Sequence, residues 1–293
     1  MTADAPASLT APGAVPAAWP ADDAGLAAML AAGAGRVLLE LRAHVDEGTF
    51  PGDLRGLKDA GDLAAQTWLA DALAHARPGD AVLSEEARDD RSRLDADRTW
   101  IIDPLDGTRE FAERDEAGTG WRTDFAVHVA LWVRGRGLVA GAVGLPARNL
   151  VRRSDQPLDV PAERYDDILA GRRPLRLAVS RTRPPAVAAR LGAREDVELV
   201  PMGSNGVKVM AVLDGTADVY VHAGGQYEWD SAAPVAVATA AGLTATRLDG
   251  SPLLYNQPDP WSPDLAVCHP ALVAHLRRLL AGAGADDEPG ARP

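Results

Sequence analysis

The segment Trp100 to Thr108 restricts this chain more than any other stretch. Trp100-Ile101-Ile102 is an apolar run of strand type, and it ends abruptly in Asp103-Pro104-Leu105-Asp106-Gly107-Thr108. A buried strand that stops in two aspartates three residues apart places negative charge at the rim of a core. Pro104 restricts the turn, and both carboxylates can face one cluster of hard cations such as Mg²⁺, which favours oxygen ligands. Gly107 allows a phosphate oxygen to approach the backbone, and the free amides of a following helix start would bind it.

Two more acidic positions stand at the ends of apolar segments: Glu85 after Ala81-Val82-Leu83, and Asp230 after Trp229. Taken singly each has a bland reading. Ser84-Glu85-Glu86 reads as a solvated first helical turn, and Asp230 as the N-cap of a small-residue helix over 231–241. The six histidines show no H-E-x-x-H or related spacing, so zinc chemistry is not expected.

Around these points the pattern alternates. Leu26, Met29, Leu30, Val37, Leu38, Leu41 and Val45 recur at helical spacing, with Asp22 or Asp23 as cap. A second helix is expected over 62–76 and stops at Pro78-Gly79-Asp80. Strands are expected at 124–133 and 137–143, and the pattern lapses over 154–173 into Pro, Asp, Arg and Gly. Beyond it the expected order is strand 175–179, helix 184–191, strand 198–201, helix 207–213, strand 217–222, then helices over 231–241 and 271–280. This alternation indicates an α/β class. The expected organisation is a tail over 1–20, an α+β half over 21–150 with the acidic site, a junction over 151–174, an α/β half over 175–282 and a tail over 283–293.

Composition narrows the partners. A net charge of -12 and a pI near 4.9 disfavour nucleic acid or an anionic membrane surface as the main partner. No uninterrupted apolar run reaches spanning length, and the opening stretch lacks a basic segment followed by an apolar one, so neither a span nor a signal peptide is expected. The single cysteine, Cys268, suits a reducing cytoplasm and reads as a packed small side chain.

Glu85-Glu86, then Trp100 to Thr108, then Trp229-Asp230-Ser231-Ala232-Ala233 together resemble the paired signatures of the inositol-monophosphatase superfamily, in order and separation, and the likeness runs from about 24 to 280. The resemblance implies a layered αβαβα sandwich of the inositol-monophosphatase/fructose-bisphosphatase type, with two or three Mg²⁺ ions. It makes Glu85, Asp103, the carbonyl of Leu105, Asp106 and Asp230 metal ligands, with Thr108 orienting the attacking water. Four carboxylates sum to -4, so two Mg²⁺ neutralise the site and a third leaves it at +2, able to hold a dianionic phosphate.

Arg109-Glu110-Phe111 after Thr108 resembles the CysQ-type bisphosphate nucleotidases of that superfamily. So do Val179-Ser180-Arg181-Thr182-Arg183 and Gly203-Ser204-Asn205-Gly206-Val207-Lys208. The likeness implies a phosphomonoesterase acting on the 3′-phosphate of 3′-phosphoadenosine 5′-phosphate, with the corresponding phosphosulfate as a second substrate, in sulfur assimilation. Gly107, Thr108, Ser180, Arg183, Ser204, Lys208 and Asp230 would then touch substrate, although Arg183 stands where relatives often carry His. On residues alone Lys208 also reads as a solvated helix face. The rival readings are a broad inositol 1-phosphate or fructose 1,6-bisphosphate phosphatase and a catalytically weak nucleotide-binding protein. Oligomeric state is left open, a homodimer being compatible. Relatives usually carry an aspartate on the second helix as partner to the signature threonine. Here Gln66 matches that position and is expected to orient Thr108, with Asp62 as the helix cap. A four-residue shift of alignment would make Asp62 the partner instead.

Overall fold

The computed structural model describes residues 18–51 and 53–283. The expected tails lie outside the described residues, apart from 18–20 and 283.

Helix α1 (Asp23–Asp46) begins where Asp22 Oδ1 accepts the Gly25 amide at 2.6 Å, and it buries Leu26, Leu30, Ala34 and Leu38 along one stripe. By length and composition α1 could also cross a membrane, but its apolar stripe is spent on the core. Helix α2 (Leu54–Ala76) starts earlier than the apolar spacing suggested, because Asp53 caps it through the Gly56 amide at 2.8 Å. Asp62 is therefore an interior residue of α2, not its cap. A Cβ on Gly33 would lie 1.9 Å from the Trp68 ring, so glycine is what allows α1 and α2 to approach.

The first sheet has the order β1-β2-β3-β4-β5, from β1 (Ala81–Ser84), β2 (Arg98–Asp106), β3 (Ala126–Val133), β4 (Gly137–Leu145) and β5 (Leu150–Arg153), with the four-residue helix α3 (Thr108–Phe111) after β2. Only β1 and β2 run parallel. Alternation along β2 sends Trp100 and Ile102 into the core under α1 and α2, and Ile101 into the core on the other face. Both faces of β2 are covered, which explains its unbroken apolar run.

After α4 (Asp166–Leu169) the chain builds β6 (Leu175–Ser180), α5 (Ala186–Gly192), β7 (Val197–Met202), α6 (Asn205–Asp214), β8 (Val219–Tyr227), α7 (Glu228–Ala240), β9 (Thr244–Thr246), β10 (Trp261–Cys268) and α8 (Val273–Gly282). The second sheet runs β7-β6-β8-β10-β9, parallel across β7, β6 and β8 and antiparallel at β10 and β9. Helices α6 and α7 pack between the sheets, while α5 and α8 cover the outer face of the second. The result is the expected αβαβα layering. Cys268 is buried in β10, and burial pushes its thiol up to about 12, as befits a packed side chain.

Candidate active site

A bulge in β2 creates the site. Asp103 pairs with His128 and Asp106 with Ala126, so three residues of β2 advance against two of β3. Strict alternation would point Asp103 and Asp106 to opposite faces; the extra residue turns both toward α6 and α7. Leu105 goes the other way, into the core beside Phe111. Gly107 follows with φ +91°, a left-handed conformation that a side chain would strain.

Asp103 is buried, with Oδ1 accepting the Leu105 amide at 3.0 Å and Oδ2 without a hydrogen bond among the described residues, 3.8 Å from His128 Nδ1. Asp106 Oδ2 accepts from the Ser204 hydroxyl at 2.5 Å and the Gly206 amide at 2.8 Å. Asp230 is in the first turn of α7, where Oδ2 accepts the Tyr227 amide at 2.6 Å; Tyr227, and not Asp230, is the N-cap. Glu85 follows β1. Glu85, Asp103 and Asp230 are each raised in part by their carboxyl neighbours. Burial, then Asp106, raises Asp230 to about 7, and the surrounding protein, then Asp230 and Asp106, raises Glu85 to about 8. Asp103 is pushed well above the carboxylate range by burial and by all three neighbours. An orphaned buried carboxylate oxygen amid mutually repelling acids is what a hard cation satisfies, so the residues fit a divalent metal ion.

His128, absent from the sequence expectations, is fully buried beside them, with Nδ1 facing the Trp229 carbonyl at 3.2 Å and Nε2 3.2 Å from Asp106. Asp103, Asp106 and His128 form a group that could hold a metal ion. A lone histidine in an apolar strand gave no signal in sequence.

The expected partner of Thr108 is corrected. Its hydroxyl lies 3.4 Å from Asp62 Oδ1 and 3.3 Å from the Leu105 carbonyl, whereas Gln66 Oε1 accepts from the Ser84 hydroxyl at 2.6 Å. Asp62 is raised to about 7 by burial and by Glu86.

A cavity of about 430 Å³ opens beside Asp106 and Asp230, and Ser180, Arg183, Ser204 and Lys208 all line it. Lys208 is 6% exposed, its ammonium 5.3 Å from the Tyr220 ring centroid, and it makes no ion pair among the described residues. Burial lowers its pKa. Ser204 has a structural task as well: besides its bond to Asp106, Oγ caps α6 through the Val207 amide at 3.1 Å. Sequence reasoning missed Asn205, His222, Gln226, Tyr227 and Trp261 on the walls. Tyr227 stacks on Trp229 at 4.6 Å and meets Trp261 edge-on at 5.4 Å. Tyr227 adjoins the Trp229-Asp230 signature and could have been found there; Trp261 lies in a strand the pattern hid.

Layering and acidic cluster together define the class. The chain belongs to the inositol monophosphatase family, whose model matches residues 24–281. Among its relatives, the 3′-phosphoadenosine 5′-phosphate phosphatase of Mycobacterium leprae (strain TN) is 51% identical over 272 residues, covering 88% of this chain and 94% of the relative. The 3′(2′),5′-bisphosphate nucleotidase CysQ of Escherichia coli (strain K12) is 31% identical, covering 78% and 91%. The crystal structure of CysQ from Bacteroides thetaiotaomicron superposes with a TM-score of 0.61 at 26% identity, covering 83% of this chain and 96% of that one.

Proposed function

We propose that this protein hydrolyses the 3′-phosphate of 3′-phosphoadenosine 5′-phosphate, releasing AMP and phosphate, with Mg²⁺ as its metal. The observation that carries this reading is the buried Lys208 ammonium, which makes no ion pair among the described residues and lines the same cavity as Asp106 and Asp230. The carboxylates whose field reaches this ammonium, Asp106, Glu110, Asp230 and Asp124, make no contact ion pair with it, so a substrate with a second phosphate can supply the direct partner. The names borne by the Mycobacterium leprae and Escherichia coli relatives point to the same substrate class.

Glu85, Asp103, the Leu105 carbonyl, Asp106 and Asp230 would hold the metal. Bound there, magnesium would supply the positive charge that acidifies the attacking water and neutralises the phosphoryl oxygens. The chain's own residues do the rest. Thr108 offers its hydroxyl oxygen to the water and its proton to Asp62, which fixes the direction of the remaining lone pair. Ser204 and the Gly206 amide hold one oxygen of Asp106, leaving the other for the site. Lys208 and Arg183 bind the phosphate that is not cleaved, and the Tyr227 and Trp261 rings offer apolar faces to the base.

Phosphate release with Mg²⁺ as the sole divalent ion tests the reading on 3′-phosphoadenosine 5′-phosphate, 3′-AMP, inositol 1-phosphate and fructose 1,6-bisphosphate. The bisphosphorylated nucleotide is expected to be preferred; equal use of the sugar phosphates overturns the assignment. Lys208→Ala is expected to cut kcat/KM for 3′-phosphoadenosine 5′-phosphate by about tenfold to a hundredfold, with far less change for 3′-AMP, which lacks the second phosphate.

A further inference from the structure

Glu110 and Arg181 do not line the cavity, yet they tie together the segments that do. Glu110 is 5% exposed in α3, and its Oε1 accepts from Arg181 Nη2 at 2.8 Å, across 71 residues of chain and between the two sheets. Arg181 also meets Glu113. The Arg181 amide donates to the Met202 carbonyl at 3.2 Å, which binds the end of β6 to the end of β7. At Gly203 a Cβ would fall 2.4 Å from Glu110 Cγ and Cδ, so the glutamate fills the space that any side chain there would need. The Gly203 amide in turn donates to Asp124 Oδ2 at 2.7 Å, and Arg122 grips Asp124 through two bonds of 2.9 and 2.7 Å.

Residues flanking these anchors supply part of the cavity's polar lining. Ser180 and Arg183 stand on either side of Arg181, and Ser204 and Lys208 follow Gly203. An ion pair held by a mostly buried carboxylate, with a glycine fitted against it, fixes both segments more firmly than exposed turns fix themselves. We propose that the Glu110–Arg181 pair is a positioning clamp that makes the cavity selective for a substrate carrying a second phosphate, by holding the 180–183 and 203–208 segments in register against α3. The inference rests on the reading of this cavity as a bisphosphate site, and it assigns Glu110 and Arg181 a role through their neighbours, without substrate contact.

The test compares kcat and KM for 3′-phosphoadenosine 5′-phosphate and 3′-AMP in the wild-type protein, Glu110→Gln, Arg181→Met and the double variant, all with Mg²⁺. KM for the bisphosphate is expected to rise about tenfold in each single variant while KM for 3′-AMP stays within about threefold, and any fall in kcat, passed on through Ser204 and Asp106, is expected to be the same for both substrates. The double variant is expected to match the worse single one, because the pair acts as a unit. Arg181→Met, at a half-buried position, carries the test if the buried Glu110→Gln does not fold. Equal rises in KM on both substrates, or an unchanged preference for the bisphosphate, overturn the clamp while leaving the activity itself assigned. A wild-type protein that does not prefer the bisphosphate to 3′-AMP overturns the clamp together with the reading beneath it.

Discussion

The Thr108 hydroxyl has two acceptors in reach, Asp62 Oδ1 at 3.4 Å and the Leu105 carbonyl at 3.3 Å, and one proton to give. If the Leu105 carbonyl is turned to a cation, Asp62 takes that proton. An amide oxygen could accept that hydrogen bond as well, but only a carboxylate adds negative charge and basicity to help polarise the water at neutral pH. Asp62→Asn is therefore expected to lower kcat by about a hundredfold or more, whereas Gln66→Ala should leave kcat nearly unchanged and cost about 1 kcal/mol of stability through the lost Ser84 bond. Steady-state kinetics with a denaturant melt separates the two, and a collapse in kcat on Gln66→Ala with a silent Asp62→Asn would reverse the roles. Sequence alone could not choose. Asp62 and Gln66 lie four apart, on the same face of α2, and helical spacing is blind to a shift of one turn. Asp53, nine residues upstream of Asp62, takes the cap, and the hydrogen bonds then put Asp62 on Thr108 and Gln66 on Ser84.

At the scale of elements, α3 is too short to stand alone. Four residues leave its last carbonyls without helical partners, and Arg42 of α1 supplies two of them: Nε donates to the Phe111 carbonyl at 2.7 Å and Nη2 to the Glu110 carbonyl at 3.0 Å, while Nη1 donates to the Arg122 carbonyl beyond the helix at 2.9 Å. The guanidinium sits 4.4 to 5.0 Å from the Phe111, Trp121 and Phe125 ring centroids. Burial lowers its pKa to about 10, so it stays charged at neutral pH. Arg42→Met is expected to destabilise the fold by about 3 kcal/mol or more, with Arg42→Lys recovering only part, since an ammonium lacks the planar fork. Denaturant midpoints check this; a full rescue by lysine would mean that charge alone matters. Arg42 was invisible in sequence because its partners are backbone carbonyls, which carry no residue signature. Elements with strong periodicity or unbroken apolar runs, such as α1 and β2, were legible. Strand β10 was not: Pro263 and Asp264 interrupt its pattern, and its pairing with β8 shifts register between Ser262 and Asp264. Strand β5 is a half-buried edge whose alternation is diluted by Arg152 and Arg153.

At the scale of the whole molecule, the layers force like charges together. Signature spacing identified the four carboxylate positions, because strand ends and helix starts leave marks in sequence, but their mutual pressure arises only when α7 packs across β2 and β3. The consequence is a pH dependence. Glu85 at about 8, with Asp62, Asp230 and Glu228 each at about 7, all lie above their unfolded values near 4. Between about pH 6.5 and 8 these carboxyls make the folded protein bind more protons than the unfolded chain, so stability falls as pH rises through that window, whereas below it His128, His222, His269 and His275, each held under the ordinary imidazole value mainly by burial, oppose the trend. Removing divalent ions with chelator should expose this trend: the Tm of the metal-free protein is expected to be lower at pH 8 than at pH 6.5. A cation reverses the sign, because it binds the deprotonated carboxylates and competes with protons for them. Saturating Mg²⁺, at about a hundred times its dissociation constant, contributes about 2.7 kcal/mol, a rise on the order of 5 to 10 °C. That rise is expected at pH 8 and should shrink toward pH 6.5, where Glu85 and Asp230 are more fully protonated. Calorimetric scans at both pH values, with chelator and with Mg²⁺, decide the matter without any substrate. A Tm of the metal-free protein that climbs with pH, or a Mg²⁺ increment equal at both values, would show that these carboxyls do not share one cation site.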